Sequence, residues 1–311
     1  EKVHLIGNAH LDPVWLWRWQ EGYAEIKATF RSVLDRLKEF PEFIFTCGCA
    51  AYYKWVEENA PEIFEEIRQR VKEGRWVVVG GWWIQPDCNI PSGESFVRHG
   101  LYSQRYFLEK FGTMAKVGYN VDSFGHNGML PQILKKSGMD YYVFMRPEEH
   151  EKHLPYPLFW WESKDGSRVM AYRLPFGYSH GYGGFEGDMD DLADEKGKFH
   201  ATLFLPRKFL AGLKLANRLG LDLMVFYGVG NHGGGPTIAN IHTLLKMQAE
   251  EQVAKPEEVY IFSSPNRYFE EISKEYEKNV QLSNLLVVRD DLQHHASGCY
   301  STHSKIKKLN R

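Results

Sequence analysis

Apolar residues along this chain follow two rhythms. Short, nearly continuous apolar runs at residues 3–8, 43–46, 76–80, 116–120, 141–144, 223–227 and 259–262 read as buried strands. Between them, apolar residues recur at spacings of three and four. Ile26, Phe30, Val33, Leu34 and Leu37 mark one helix face. A second helix starts near residue 93 with Ser92 as its N-cap, a third near Met129, and a fourth covers 238–250. Repeated strand–helix units predict an α/β fold with parallel strands and right-handed crossovers. About seven such units favour a closed β/α barrel over an open sheet.

One stretch departs from that alternation. Residues 158–163 and 168–174 flank Lys164-Asp165-Gly166-Ser167, an Asp-Gly hairpin signal. The Gly-rich, acidic "PFGYSHGYGGFEGDMDDLADEKG" follows, and reads either as a substrate loop or as a solvated insertion. On this division, residues 1–285 form one barrel domain, and 286–311 begin a connection to a further domain outside this chain.

Composition narrows the function. A formal net charge of −2 leaves no electrostatic footprint for nucleic acid or an anionic membrane. No apolar run approaches the ~20 residues of a membrane span. Four cysteines among 311 residues fit a reducing compartment, so a cytoplasmic location is expected. Cys47-Gly48-Cys49 reads as buried thiols, a metal pair being the alternative. Aromatic residues make up 14% of the chain, and indole faces near polar groups suit stacking on sugar rings as well as core filling.

The candidate chemistry sits where strands end. His10 and Asp12 follow the first strand two residues apart, the spacing that sends side chains to one side. Pro13 then stops ladder pairing. Together they offer an imidazole nitrogen and a carboxylate oxygen to a metal. Asp122 stands just past the strand at 116–120, before Phe124, Gly125 and His126. It is either a turn former or a functional acid. Asn231 and His232 follow the strand at 223–227 on a loop with three glycines. No Lys-Ser/Thr follows them, so this is not a phosphate-binding P-loop. His126 is read as bonding to nearby backbone or supporting Asp122, Asp87 as a turn residue or pocket lining, and His99 and His153 as surface or core histidines.

Four long motifs in order, "NAHLDPVWLWRWQEG", "GGWWIQPDCNIPSGESFVRHGLYSQRYF", "VGYNVDSFGHNGMLPQILKKSGMDYYVFMRP" and "YGVGNHGGGPT", resemble the N-terminal catalytic domain of family 38 α-mannosidases. The resemblance implies a seven-stranded β/α barrel and zinc-dependent, retaining hydrolysis of terminal α-linked mannose. It implies one zinc per site, held by His10, Asp12 and Asp122, although cobalt or manganese would also suit the donors. Asp122 would also be the nucleophile that forms the glycosyl-enzyme. Trp15 and Phe124 resemble the aromatic platform under the sugar, and Arg146 the arginine beside the nucleophile. Tyr178 and Asn231 complete the expected substrate contacts. The expected partners are an α-mannoside and the C-terminal helical and β domains of the full-length protein, with no nucleic acid, no membrane, and a homo-oligomer left open.

The chain departs from the family at two points. The loop that carries a general acid carboxylate in better-known members reads Gly230-Asn231-His232-Gly233 here. His232 becomes the candidate proton donor, with Asp188, Asp190 and Asp191 as remote alternatives. The fourth zinc ligand is expected beyond Arg311, since the stretch holding His294 and His295 resembles one that precedes that ligand. The competing reading is a polysaccharide deacetylase-like metal-dependent hydrolase, in which a metal-activated water, not Asp122, attacks.

Overall fold

A computed structural model describes residues 1–154, 157–179, 201–230, 233–254, 259–276, 285–294 and 304–309. The strands are β1 (Val3–Asn8), β2 (Phe45–Cys47), β3 (Trp76–Val78), β4 (Val117–Asn120), β5 (Tyr141–Phe144), β6 (Leu158–Glu162), β7 (Arg168–Arg173), β8 (Leu223–Tyr227), β9 (Tyr260–Phe262) and β10 (Val287–Val288). The main helices are α1 (Trp19–Glu39), α2 (Ala50–Asn59), α3 (Pro61–Lys72), α4 (Gly93–Phe111), α5 (Leu130–Lys136), α6 (Ala201–Leu219), α7 (Ile238–Ala254) and α8 (Pro265–Tyr276).

The expected strands are present, with ends shifted by a residue or two where the ladder stops short, and the helix expected at 238–250 runs on to Ala254. Ser92 accepts a hydrogen bond from the Ser95 amide and caps α4, which ends at Gly112 in a left-handed conformation. All five apolar residues named for α1 are buried. The Asp-Gly signal turns β6 back antiparallel onto β7, with Gly166 at a φ of 83°.

The closed seven-stranded barrel is not found. Among the described residues the strands form two five-stranded sheets, both largely parallel. One runs β3-β2-β1-β8, with β9 also on β1; the other runs β10-β6-β7-β5-β4. The reason lies at the two seams. Past β3 the chain turns away through Gly80 and Gly81, both at positive φ, and the Gly80 amide reaches Val117 O at 2.7 Å. At the other seam the Tyr172 hydroxyl occupies both the amide and the carbonyl of Met224, each at 2.9 Å. A side chain there takes the edge groups that a neighbouring strand would need.

Two faces are buried on each sheet. Val3 and Leu5 pack toward α1 and its neighbours, while Ile6 packs with Val79, Tyr119, Val143, Tyr172 and Met224 between the sheets. Burial on both sides explains why β8 reads as an unbroken apolar run and why even the polar His4 and Asn8 of β1 are buried. Phe30, wholly buried, packs edge-on against Trp76. Its truncation to alanine is expected to cost about 3–5 kcal/mol.

Candidate functional site

Strand alternation sets the first half of the site. In β1, Ile6 and Asn8 face the inter-sheet interior, and His10 and Asp12 continue the same parity past the strand end. The turn carrying them is fastened from several sides. The Tyr52 hydroxyl donates to Leu11 O at 2.5 Å, and the Trp17 indole N–H donates to Asp12 O at 2.9 Å. α1 approaches so closely that a Cβ on Gly22 would stand 2.0 Å from Pro13 O, so only glycine fits there.

The second half comes from β4. Asn120, the last strand residue, accepts from the Trp82 indole and donates to Ser123 Oγ, which fixes the bend on which Asp122 sits. His10 Nε2 lies 3.3 Å from Asp12 Oδ1 and 3.5 Å from Asp122 Oδ2. All three ligand atoms fall within 4.8 Å of one another. The sequence-predicted metal set is therefore brought together.

Arg146, just past β5, completes this corner. Its Nη1 donates to Asp122 Oδ1 at 2.5 Å, and its guanidinium stacks 4.8 Å over the Phe124 ring. The Arg146–Pro147 peptide is cis. Tyr178 lies with its ring 5.0 Å from that of His10, and its hydroxyl is close enough to the Asp122 carboxylate to feel its charge. Burial raises the Tyr178 hydroxyl well above the ordinary tyrosine range, and the Asp122 charge acts in the same direction. Asp122 is thus flanked by a cation, a hydroxyl and an imidazole.

Two buried histidines differ in partners. His126 sits under the Asp122–Phe124 bend. Its Nε2 donates to Arg146 O at 2.8 Å, and its Nδ1 accepts from the Tyr142 hydroxyl at 2.7 Å. Burial depresses its pKa to about 3, so the ring is neutral and structural. His10 Nε2 is also buried but has no hydrogen-bond partner among the described residues. A buried nitrogen left open beside two carboxylates is costly unless something else binds it. The donor set fits a metal: in a tetrahedral zinc site with bonds of about 2.1 Å, ligand atoms stand roughly 3.4 Å apart.

Other expected residues fall elsewhere. Trp15 is 63% exposed, its ring edge-on to Trp17 at 5.4 Å. Asp87 is a turn former whose Oδ1 accepts the amides of Asn89 and Ile90. His294 packs 5.8 Å from the Phe124 ring and lies 2.6 Å from Glu151 Oε1, outside the metal group. His99 Nδ1 accepts from the Ile84 amide, and exposed His153 pairs with Glu149. Cys47, Cys49 and Cys88 are free, buried thiols. Asn231, His232, His295, Asp188, Asp190 and Asp191 lie outside the described residues. Asn8, which supports the Tyr178 backbone, was not singled out from sequence, although its parity with His10 points to it.

Comparison with known proteins agrees with this geometry. The sequence profile of the Glycosyl hydrolases family 38 N-terminal domain matches residues 1–297. The chain is 30% identical over 313 residues to Alpha-mannosidase 2C1 of Homo sapiens, covering 99% of this chain and 27% of that protein. It is 31% identical over 237 residues to Alpha-mannosidase of Saccharomyces cerevisiae, covering 76% of this chain and 20% of that protein. An α-mannosidase structure from Enterococcus faecalis V583 superposes with a TM-score of 0.73 at 23% identity, covering 94% of this chain and 31% of that one, and shows the shared fold. The chain thus spans about a quarter of the length of these curated relatives.

Proposed function

The chain belongs to glycosyl hydrolase family 38, and on that premise we propose that residues 1–285 form the catalytic α/β domain of a zinc-dependent, retaining α-mannosidase. The observation that carries this reading is the unpartnered, buried His10 Nε2 held between Asp12 and Asp122. The relatives' names support the activity, and the donor set supports zinc, with cobalt or manganese as alternatives.

His10, Asp12 and Asp122 would hold the ion. A bound zinc would supply Lewis-acid polarisation and a charge anchor for sugar hydroxyls. The remaining chemistry belongs to side chains. Asp122 attacks the anomeric carbon, the bond to the leaving oxygen breaks with its electron pair, and a donor protonates that oxygen. Water, deprotonated by the same group, then attacks the anomeric carbon, and the carboxylate leaves. Arg146 and Tyr178 orient the Asp122 carboxylate from two sides. Phe124, backed by Arg146, and Trp15 offer apolar ring faces to the sugar, and Asn231 a polar contact. The proton donor is assigned to His232, with Asp188, Asp190 and Asp191 as alternatives. The C-terminal domains of the full-length protein would cover the remainder of the site. Free, buried cysteines support a cytoplasmic setting, and among the described residues no helix is long and apolar enough to cross a membrane.

The test is hydrolysis of 4-nitrophenyl α-mannoside by the full-length protein and by Asp122→Ala, each with zinc and with a chelator. Activity should be lost on either change. Unchanged activity in Asp122→Ala would contradict the nucleophile assignment. Acetate release from an acetylated polysaccharide, with no mannoside cleavage, would favour the deacetylase chemistry.

A further inference from the structure

Lys208 lies inside α6 with no exposure. Its ammonium faces backbone rather than an acid: Nζ donates to Gly177 O at 3.2 Å and to Ser179 O at 2.8 Å. Burial pulls its pKa to about 7, and among the described residues no carboxylate pairs with it. A buried ammonium held by carbonyls alone among the described residues is expensive, and methionine would fill the same volume without that cost. The cost is explained by what the ammonium holds.

Residues 177–179 lie beyond the end of β7 at Arg173. Lys208 takes the first and third of their carbonyls. The second, Tyr178 O, accepts from Asn8 Nδ2 at 2.7 Å. Asn8 is itself fixed, donating to Tyr227 O at 3.2 Å and accepting from the Tyr119 hydroxyl at 3.1 Å. Three consecutive carbonyls are therefore held by two buried side chains, one from β1 and one from α6. On the far side of the ring, a Cβ on Gly230 would stand 2.8 Å from Tyr178 Cε2, so that backbone closes directly onto it.

We propose that Lys208 is a positioning residue, which with Asn8 clamps residues 177–179 so that the Tyr178 ring lies on His10 and its hydroxyl reaches Asp122. The catalytic part of this inference rests on the mannosidase reading. The clamp tunes the nucleophile through Tyr178 and touches neither substrate nor metal.

Lys208→Met, Tyr178→Phe and the double variant of the full-length, zinc-loaded protein test it. Kinetics on 4-nitrophenyl α-mannoside would be read beside hydrogen exchange of the peptide covering 174–179. Each single variant should lower kcat by about tenfold with little change in KM. The double variant should fall no further than Tyr178→Phe alone, because coupled residues are not additive. Exchange in 174–179 should rise in Lys208→Met while the peptides of β1 and β8 stay protected. Should Lys208→Met fail to fold, Asn8→Ser opens the same clamp from the other side and should reproduce the exchange and kcat effects. Multiplicative losses in the double variant, or unchanged exchange and kcat in Lys208→Met, would overturn the clamp. A parent protein without mannosidase activity would instead count against the proposed function, and exchange alone would then decide the clamp.

Discussion

The corner after β1 and the corner after β4 each bury a histidine within a few residues of an aspartate, yet they solve opposite problems. At the β4 corner, both nitrogens of His126 are bonded, one to Arg146 O and one to Tyr142. At the β1 corner, the backbone is tied down by Tyr52, Trp17 and the close approach of Gly22, while His10 Nε2 stays open. The second corner is built for the fold. The first keeps a rigid frame around a nitrogen that the fold does not use. What sets His10 apart is an open nitrogen between two carboxylates, since buried His4 also leaves Nε2 without a hydrogen bond but stands 3.8 Å from Glu271 alone.

The comparison can be broken most severely at its shared partner. Asp122→Asn keeps the size of the side chain but removes the attacking charge, and kcat should drop by at least about 10³-fold, measured on an activated aryl mannoside. His10→Phe comes next. It should abolish zinc retention, read by metal analysis after dialysis, while metal-free stability stays within about 1 kcal/mol because no hydrogen bond of Nε2 is lost. His126→Phe should do the reverse. Zinc should be retained, but Arg146 O and the Tyr142 hydroxyl lose their partner, costing about 3 kcal/mol in denaturant unfolding.

Acid sharpens the same contrast. The His126 pKa falls from 6.5 to about 3 on folding, so the unfolded chain takes up a proton that the native state refuses. Its stabilising contribution is full above pH 6.5 and is lost as pH falls toward 3. Buried His4, lowered to about 4 by burial, adds a slope of the same sign. Stability measured from pH 7 to 4 should fall less steeply in His126→Phe than in the parent. The smallest effect is expected at Trp15. Its exposed ring can be cut to alanine with a stability change within about 0.5 kcal/mol, and KM should rise only a few-fold.

Much of this was legible along the chain because it is local. The apolar runs gave β5 and β8 to the residue, the three-and-four spacing gave the buried face of α1, and Asp165-Gly166 gave the hairpin. The cluster of His10, Asp12 and Asp122 was legible in part: His10 and Asp12 share a parity, whereas Asp122 joined them through the family resemblance. What escaped is long-range. Tyr172 occupying the edge of β8, and so keeping the two sheets apart, joins residues 52 positions distant. The Lys208 clamp joins α6 to a loop 29–31 positions earlier, and nothing in the period of α6 distinguishes that lysine from a solvated one. The platform role of Trp15 came from the family resemblance, and its exposed ring stands on the turn that Trp17 pins through Asp12 O.

The central claim is that the open nitrogen of His10 is a metal ligand. The most direct measurement is anomalous X-ray diffraction at the zinc edge from crystals of the full-length protein grown with zinc. The account predicts one strong peak about 2.1 Å from His10 Nε2 and within bonding distance of Asp12 and Asp122. Full zinc occupancy at another site, with no peak beside His10, would contradict it.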